Sequence, residues 1–108
     1  MSQPVTEERR REPRFDLEVP LQYSYPNDGA WHGGTTINVN GSGVLFRGSQ
    51  PLPPHARVEL RMALSAVSPG KAPDCLSCVG EIVRTRFVGE GEAETIMAAR
   101  FDDYRFEA

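Results

Sequence analysis

The chain has 108 residues, with 12 basic and 15 acidic side chains and a formal net charge of −3 at neutral pH. Its hydrophobic fraction of 39% and charged fraction of 25% are ordinary for a globular protein, and the length suits a single core. The acidic balance argues against a general DNA- or RNA-binding protein, because such proteins gain most of their affinity by neutralising phosphates. No apolar run is long enough to span a bilayer, so we expect no membrane insertion.

The N-terminal segment is polar and locally basic. Residues 9–14 contain four arginines and one glutamate, the arginines being Arg9, Arg10, Arg11 and Arg14. The first fourteen residues have no apolar stretch typical of a signal peptide, which favours a cytoplasmic protein. We predict a flexible tail over residues 1–8, one domain over 9–104 and a C-terminal tail over 105–108.

Alternation of apolar and polar residues predicts strands along most of the chain. The predicted strands cover residues 15–25, 35–39, 44–47, 56–62, 78–88 and 95–101. Pro20 cannot donate to a ladder, which indicates an edge position or a bulge within the first of them. Turn and loop residues are concentrated at 26–29, 40–43, 50–55, 65–77 and 89–92. Residues 102–108 are predicted to form at most one helical turn.

Short strands separated by turns at close spacing indicate an all-β fold, either an antiparallel barrel or a sandwich. No helical stripe, internal repeat or second domain is present in the sequence. Trp31, Phe46 and Phe87 are interpreted as core or rim aromatics rather than as base-stacking residues.

Two cysteines, Cys75 and Cys78, form a single C-x-x-C pattern. Its functional interpretations are a redox pair or half of a zinc site, but only His32 and His55 could complete such a site and their spacing is unsuitable. We therefore interpret the two cysteines as small residues without a chemical role at a loop-to-strand boundary. The sequence has no Ser-His-Asp order, no paired carboxylates in an apolar frame and no metal-ligand cluster, so we do not expect an enzyme.

Four motifs in order give the chain a family resemblance. Arg10-x-x-x-Arg14, preceded by Arg9, is similar to the R-x-x-x-R arm of the PilZ domain, and Asn38-x-Asn40-x-x-Gly43 is similar to its (D/N)-x-S-x-x-G turn. Residues 80–84 (Gly-Glu-Ile-Val-Arg) resemble the later G-x-V-x-R strand, and residues 98–101 resemble the closing strand. PilZ domains are small six-stranded β-barrels whose usual ligand is the bacterial second messenger cyclic di-GMP.

The resemblance implies a six-stranded antiparallel β-barrel with a flexible N-terminal arm. It also implies a ligand site made by Arg9, Arg10, Arg14, Asn38, Asn40 and Gly43. Two residues depart from the family pattern, because Asn40 stands where Ser is preferred and Ala98 where Gly is preferred. No cofactor is expected apart from the ligand cyclic di-GMP.

The chemistry of these residues suits that ligand. Guanidinium groups bond to phosphate and, in bidentate fashion, to guanine O6 and N7, whereas lysine lacks the planar fork. Asn38 and Asn40 alternate along a strand end and are predicted to emerge on one face. Gly43 is predicted to let the backbone turn or the ligand approach closely.

Three functions compete. The first is a stand-alone cyclic di-GMP receptor that changes its surface on binding and signals to an unidentified effector protein, as a monomer or weak dimer. The second is a PilZ-like protein–protein interaction module that does not bind nucleotide, which Asn40 in place of Ser favours. The third is a barrel that binds single-stranded nucleic acid, which the net negative charge disfavours.

Overall fold

The computed structural model describes residues 16, 18–25, 29–64, 74–88 and 94–107. These ranges contain six strands: β1 Pro20–Ser24, β2 Trp31–Val39, β3 Gly43–Gly48, β4 Arg57–Ala63, β5 Cys75–Val88 and β6 Glu94–Glu107. Neighbouring strands are antiparallel and close into a barrel in the order β1-β2-β3-β6-β5-β4, with β4 returning to β1. The prediction of a six-stranded antiparallel barrel is confirmed.

Several predicted features lie outside the described residues. They are the N-terminal arm with Arg9, Arg10 and Arg14, most of the turn at 26–29, most of the loop at 65–77, and the connection at 89–92. No helix in the described ranges has the length and apolarity needed to cross a membrane.

Side chains of alternating positions fill the barrel. Along β4, Val58, Leu60 and Met62 are buried while Arg57, Glu59 and Arg61 are exposed, which confirms the predicted alternation. Each buried aliphatic side chain of this size contributes about 1.5–3 kcal/mol through removal of apolar surface from water. The largest fully buried side chains are Tyr23, Phe46, Leu60, Met62, Ile82 and Met97.

The first strand begins at Pro20, so the described residues 16, 18 and 19, which were predicted as strand, precede it. Residues 15 and 17 of that prediction lie outside the described residues. Pro20 pairs only with Thr35 of β2, and a proline is tolerated at the first residue of a strand because its missing N–H breaks no ladder there. Val19, just before β1, donates its N–H to Thr36 Oγ1 at 2.9 Å and accepts from the Thr36 N–H at 3.0 Å. The chain therefore enters the barrel already attached to β2.

The C-terminal end forms a strand rather than the predicted helical turn. β6 runs to Glu107 because residues 103–107 pair with residues 75–79, and β5 accordingly begins at Cys75 instead of residue 78. The alternation Asp103, Tyr104, Arg105, Phe106 has the period of two expected of a strand.

Candidate functional site

The turn between β2 and β3 is built around the side chain of Asn40. Asn40 Oδ1 accepts hydrogen bonds from the backbone N–H groups of Ser42 at 2.8 Å and Gly43 at 2.9 Å. The backbone N–H of Asn40 donates to the Gly43 carbonyl at 2.9 Å. Because both partners of the side chain are donors, the contacting atom must be the oxygen, and the amide NH2 group keeps its two donors outside these bonds.

Gly43 is required by the close approach of two strands. A Cβ at this position would collide with the carbonyl oxygen of Ala99 in β6, and one at Gly80 in β5 would collide with the carbonyl oxygen of Arg100. Gly43 does not have a positive φ, so left-handed backbone is not the reason for glycine here. The Phe101 N–H also donates to the Ser42 carbonyl at 2.7 Å, which attaches the turn to β6.

Two β-bulges decide which side chains face outward near this turn. The register of β2 against β3 shifts between Thr36 and Asn38, and the register of β5 against β6 shifts between Ile82 and Arg84. Thr36 and Ile82 are fully buried, so simple alternation would also point Asn38 and Arg84 into the core. The extra residue in each strand turns both side chains to the outer face.

The two bulges bring Asn38 and Arg84 into one cross-strand row. Asn38 of β2 lies opposite Leu45 of β3, Leu45 lies opposite Ala98 of β6, and Ala98 lies opposite Arg84 of β5. Directly opposed residues share a face, with Cβ atoms about 5 Å apart.

The next row along the same strands adds two arginines. Arg47 of β3 lies opposite Ile96 of β6, and Ile96 lies opposite Arg86 of β5. All three arginines of the two rows are exposed, whereas the apolar residues between them are half-buried. We call this surface the arginine wall; it consists of Asn38, Leu45, Arg47, Arg84, Arg86, Ile96 and Ala98.

A second, charge-balanced group lies beside the turn. Arg57 donates to Asp102 at 2.6 Å, and Arg100 donates to Glu81 at 2.8 Å and lies 3.6 Å from Asp102. His55 Nδ1 lies 2.9 Å from Glu81 Oε2. We call these five residues the Glu81 network.

The network stabilises the charged forms of its two acids. The hydrogen bond from His55 and the positive charge of Arg100 lower the pKa of Glu81, while the hydrogen bond from Arg57 lowers the pKa of Asp102. In this network each arginine is held by a carboxylate of the same barrel.

The predicted site residues are therefore distributed as follows. Asn38, Asn40 and Gly43 lie together at the end of β2 and the start of β3. Arg9, Arg10 and Arg14 lie outside the described residues. The arginines of the wall were not predicted as site residues, although Arg84 is the arginine of the G-x-V-x-R pattern and Arg86 follows it at the two-residue spacing of one strand face.

The C-x-x-C pattern lies inside β5. Cys78 is buried in the core and Cys75, three residues away, points to the opposite face. Burial raises the pKa of the Cys78 thiol to about 12, so it behaves as an apolar core group. The described residues contain no cluster of three or more His, Cys, Asp and Glu able to hold a metal ion. Of the three aromatics, Phe46 is core, whereas Trp31 and Phe87 are exposed.

Comparison with known protein families shows which family has this architecture. The family model of the PilZ domain matches residues 8–107. The chain belongs to the PilZ domain family. A comparison with curated proteins gave no match.

Two solved structures have the same fold. The Bacillus subtilis inhibitor of motility MotI/DgrA superposes with a TM-score of 0.68 at 12% identity and covers 87% of this chain, which spans only 43% of that protein. The PilZ domain of YcgR from Escherichia coli, solved with c-di-GMP, superposes with a TM-score of 0.60 at 13% identity. That match covers 88% of this chain and 79% of the YcgR domain. In this PilZ domain, the turn motif and the G-x-V-x-R strand meet at the arginine wall.

Proposed function

We propose that this PilZ domain is a receptor for cyclic di-GMP whose ligand lies across the arginine wall. The β2–β3 turn holds one end of the ligand, and Arg9, Arg10 and Arg14 of the N-terminal arm complete the site. The observation that carries this proposal is the pair of bulges that places Asn38 and Arg84 in one outward row.

The wall has the groups that a guanine dinucleotide requires. Leu45, Ile96 and Ala98 form a half-buried apolar floor on which a base can lie, with Arg47 on one side and Arg84 and Arg86 on the other. Guanidinium forks pair with phosphate oxygens or with guanine O6 and N7, and they also stack on base planes.

The turn contributes a donor at the end of this floor. Because Asn40 Oδ1 is used by the backbone of the turn, its NH2 group is the part of the side chain available to a ligand acceptor. Asn40 thus performs the turn-capping role with its oxygen and can still donate to guanine or phosphate with its nitrogen.

Related structures support the ligand class. The Escherichia coli PilZ domain with this fold was solved with c-di-GMP.

In the proposed function, ligand binding holds the arginine arm over the wall and so changes the surface presented to an effector protein. A ligand shifts a conformational equilibrium by its preference for one state.

A calorimetric titration of the full chain with cyclic di-GMP tests this function. We expect saturable binding by the wild type and loss of binding in Arg10→Ala/Arg14→Ala. Arg11→Ala is the matched control, because it removes the same charge from the same arm outside the R-x-x-x-R pattern, and it should bind like the wild type. Absence of wild-type binding, or equal loss in the control, contradicts the proposal.

The alternative is a PilZ interaction module that does not bind nucleotide. It is favoured by Asn40, whose oxygen is occupied by the turn and whose side chain is bulkier than the family's serine. If Asn40 crowds the ligand, the wild type will not bind and Asn40→Ser will. Binding by both proteins removes this alternative.

A further inference from the structure

The C-terminal half of β6 has an open edge. The last pairing of β6 with β3 is Arg100 with Gly43, followed by the hydrogen bond from the Phe101 N–H to the Ser42 carbonyl. Beyond it, residues 103–107 pair with β5 on one side, and no strand among the described residues pairs with their other side. Five residues, or roughly 17 Å of strand, are thus available for pairing.

The side chains of this edge are unusual for a surface that faces solvent. Tyr104 and Phe106 are 49% and 57% exposed, and each has an aromatic neighbour: the ring centroids of Phe101 and Tyr104 are 6.0 Å apart and those of Tyr104 and Phe106 are 6.1 Å apart. Long edges with exposed apolar side chains are normally covered in native proteins, because they template pairing with another strand.

We propose that this edge pairs with the same edge of a second copy of the chain. The two strands run antiparallel, with the two-fold axis passing through Tyr104. In this register Asp103 lies opposite Arg105 of the second copy, and Arg105 lies opposite Asp103 of the second copy. The continuous sheet joins the two barrels through β6, and the proposal does not depend on nucleotide binding.

Charge complementarity selects both the occupant and the register. An axis through Arg105 would place Arg105 opposite itself and Asp103 opposite Glu107, and like charges directly opposite are destabilising. An axis through Phe106 would pair Arg105 with Glu107 but would overlap fewer residues. Asp103 and Arg105 match each other under two-fold rotation, while Glu107 lies 3.5 Å from Arg105 of its own chain and adds no like-charge contact in this register. This match favours a second copy as the occupant, which closes the assembly at a dimer.

Mixing of charge variants tests the proposal on the full chain, with mass measured by sedimentation. The wild type should have about twice the monomer mass of 12.0 kDa. Asp103→Arg alone and Arg105→Asp alone should be monomeric, because each places like charges opposite one another. Their equimolar mixture should dimerise, since every Arg then faces an Asp.

Two control variants show whether a change in mass is specific to charges on the pairing edge. Arg61→Asp reverses a charge on the outer face of β4, in the same row as Arg105 but separated from it by Ser77 of β5, and should remain dimeric because it does not lie on the pairing edge. If a single variant does not fold, the swap Asp103→Arg/Arg105→Asp within one chain restores every pair and should dimerise. A monomeric wild type, a dimeric Asp103→Arg variant, or a mixture that stays monomeric would each overturn the proposal.

Discussion

Two groups of arginines on the same barrel have different environments. Arg57 and Arg100 in the Glu81 network contact the carboxylates of Asp102 and Glu81 at 2.6 and 2.8 Å. Arg84 and Arg86 in the arginine wall form no ion pair with an acid of the described residues. Both groups lie on the outer face and both involve β5, so strand position alone does not distinguish them.

The difference between the two groups indicates their roles. In the Glu81 network the charges are balanced within the fold, and these exposed pairs connect β4, β5 and β6 while adding little to the stability of the barrel. Arg84 and Arg86 of the wall have no such carboxylate partner among the described residues, which leaves their positive charges available to the anionic ligand proposed above. For Arg57 and Arg100 on the one hand and Arg84 and Arg86 on the other, the presence or absence of a carboxylate partner separates a structural arginine from a candidate ligand-binding arginine.

The largest expected effect comes from Gly43, where the turn beside both groups meets β6. Gly43→Ala places a Cβ against the Ala99 carbonyl oxygen and should lower the free energy of unfolding by about 3 kcal/mol, the upper end of overpacking penalties. Gly41→Ala is the matched control, because nothing lies within 4 Å of its Cβ. Denaturant unfolding measures both, and equal stability of the two variants would show that β3 and β6 can separate at no cost.

Asn40→Asp tests the role of Asn40 in the turn separately from its role in ligand binding. The aspartate keeps the acceptor for the Ser42 and Gly43 N–H groups, so thermal stability should remain close to wild type. It removes the two NH2 donors, so cyclic di-GMP affinity should fall by about tenfold, which corresponds to about 1.4 kcal/mol. Unchanged affinity together with unchanged stability would restrict Asn40 to the turn.

The smallest expected effect is the pH dependence that the Glu81 network gives to the free energy of unfolding. Because the pKa values of Glu81 and Asp102 are lowered in the fold, their stabilisation is present above the ordinary values of 4.5 and 3.8 and is lost as the pH falls below them. In the Glu81→Gln/Asp102→Asn variant, the free energy of unfolding should therefore fall less steeply than in the wild type as the pH drops below about 4.5. Denaturant unfolding at a series of acidic pH values measures this slope. An unchanged slope in the double variant contradicts the assignment.

Alternation predicted the all-β fold because it marks the inward residues directly, but it left barrel and sandwich open, and the family resemblance implied the barrel. Leu21, Tyr23, Val58, Leu60 and Met62 are buried as the period of two requires. The turn at Asn40 was also visible, since small polar residues and glycines separate two apolar runs. The strand at residues 102–107 was missed because its stability depends on pairing with residues 75–79, which local sequence does not reveal.

The arginine wall could not be derived from the sequence. Ile37 and Val83 are ordinary strand residues, and neither marks a bulge. Without those bulges, alternation from Thr36 and Ile82 assigns Asn38 and Arg84 to the core. The packing role of Gly43 was hidden for a similar reason, because the carbonyl that excludes a side chain belongs to Ala99, far away in sequence.

One titration tests the difference between the two groups most directly. Cyclic di-GMP binding is measured by calorimetry for the wild type, Arg84→Ala from the wall and Arg57→Ala from the Glu81 network. We predict that Arg84→Ala weakens binding by about tenfold or more, as loss of a bidentate contact worth about 1–3 kcal/mol requires, and that Arg57→Ala binds like the wild type. Equal effects of the two substitutions, or a larger effect of Arg57→Ala, would contradict the assignment of the ligand to the wall.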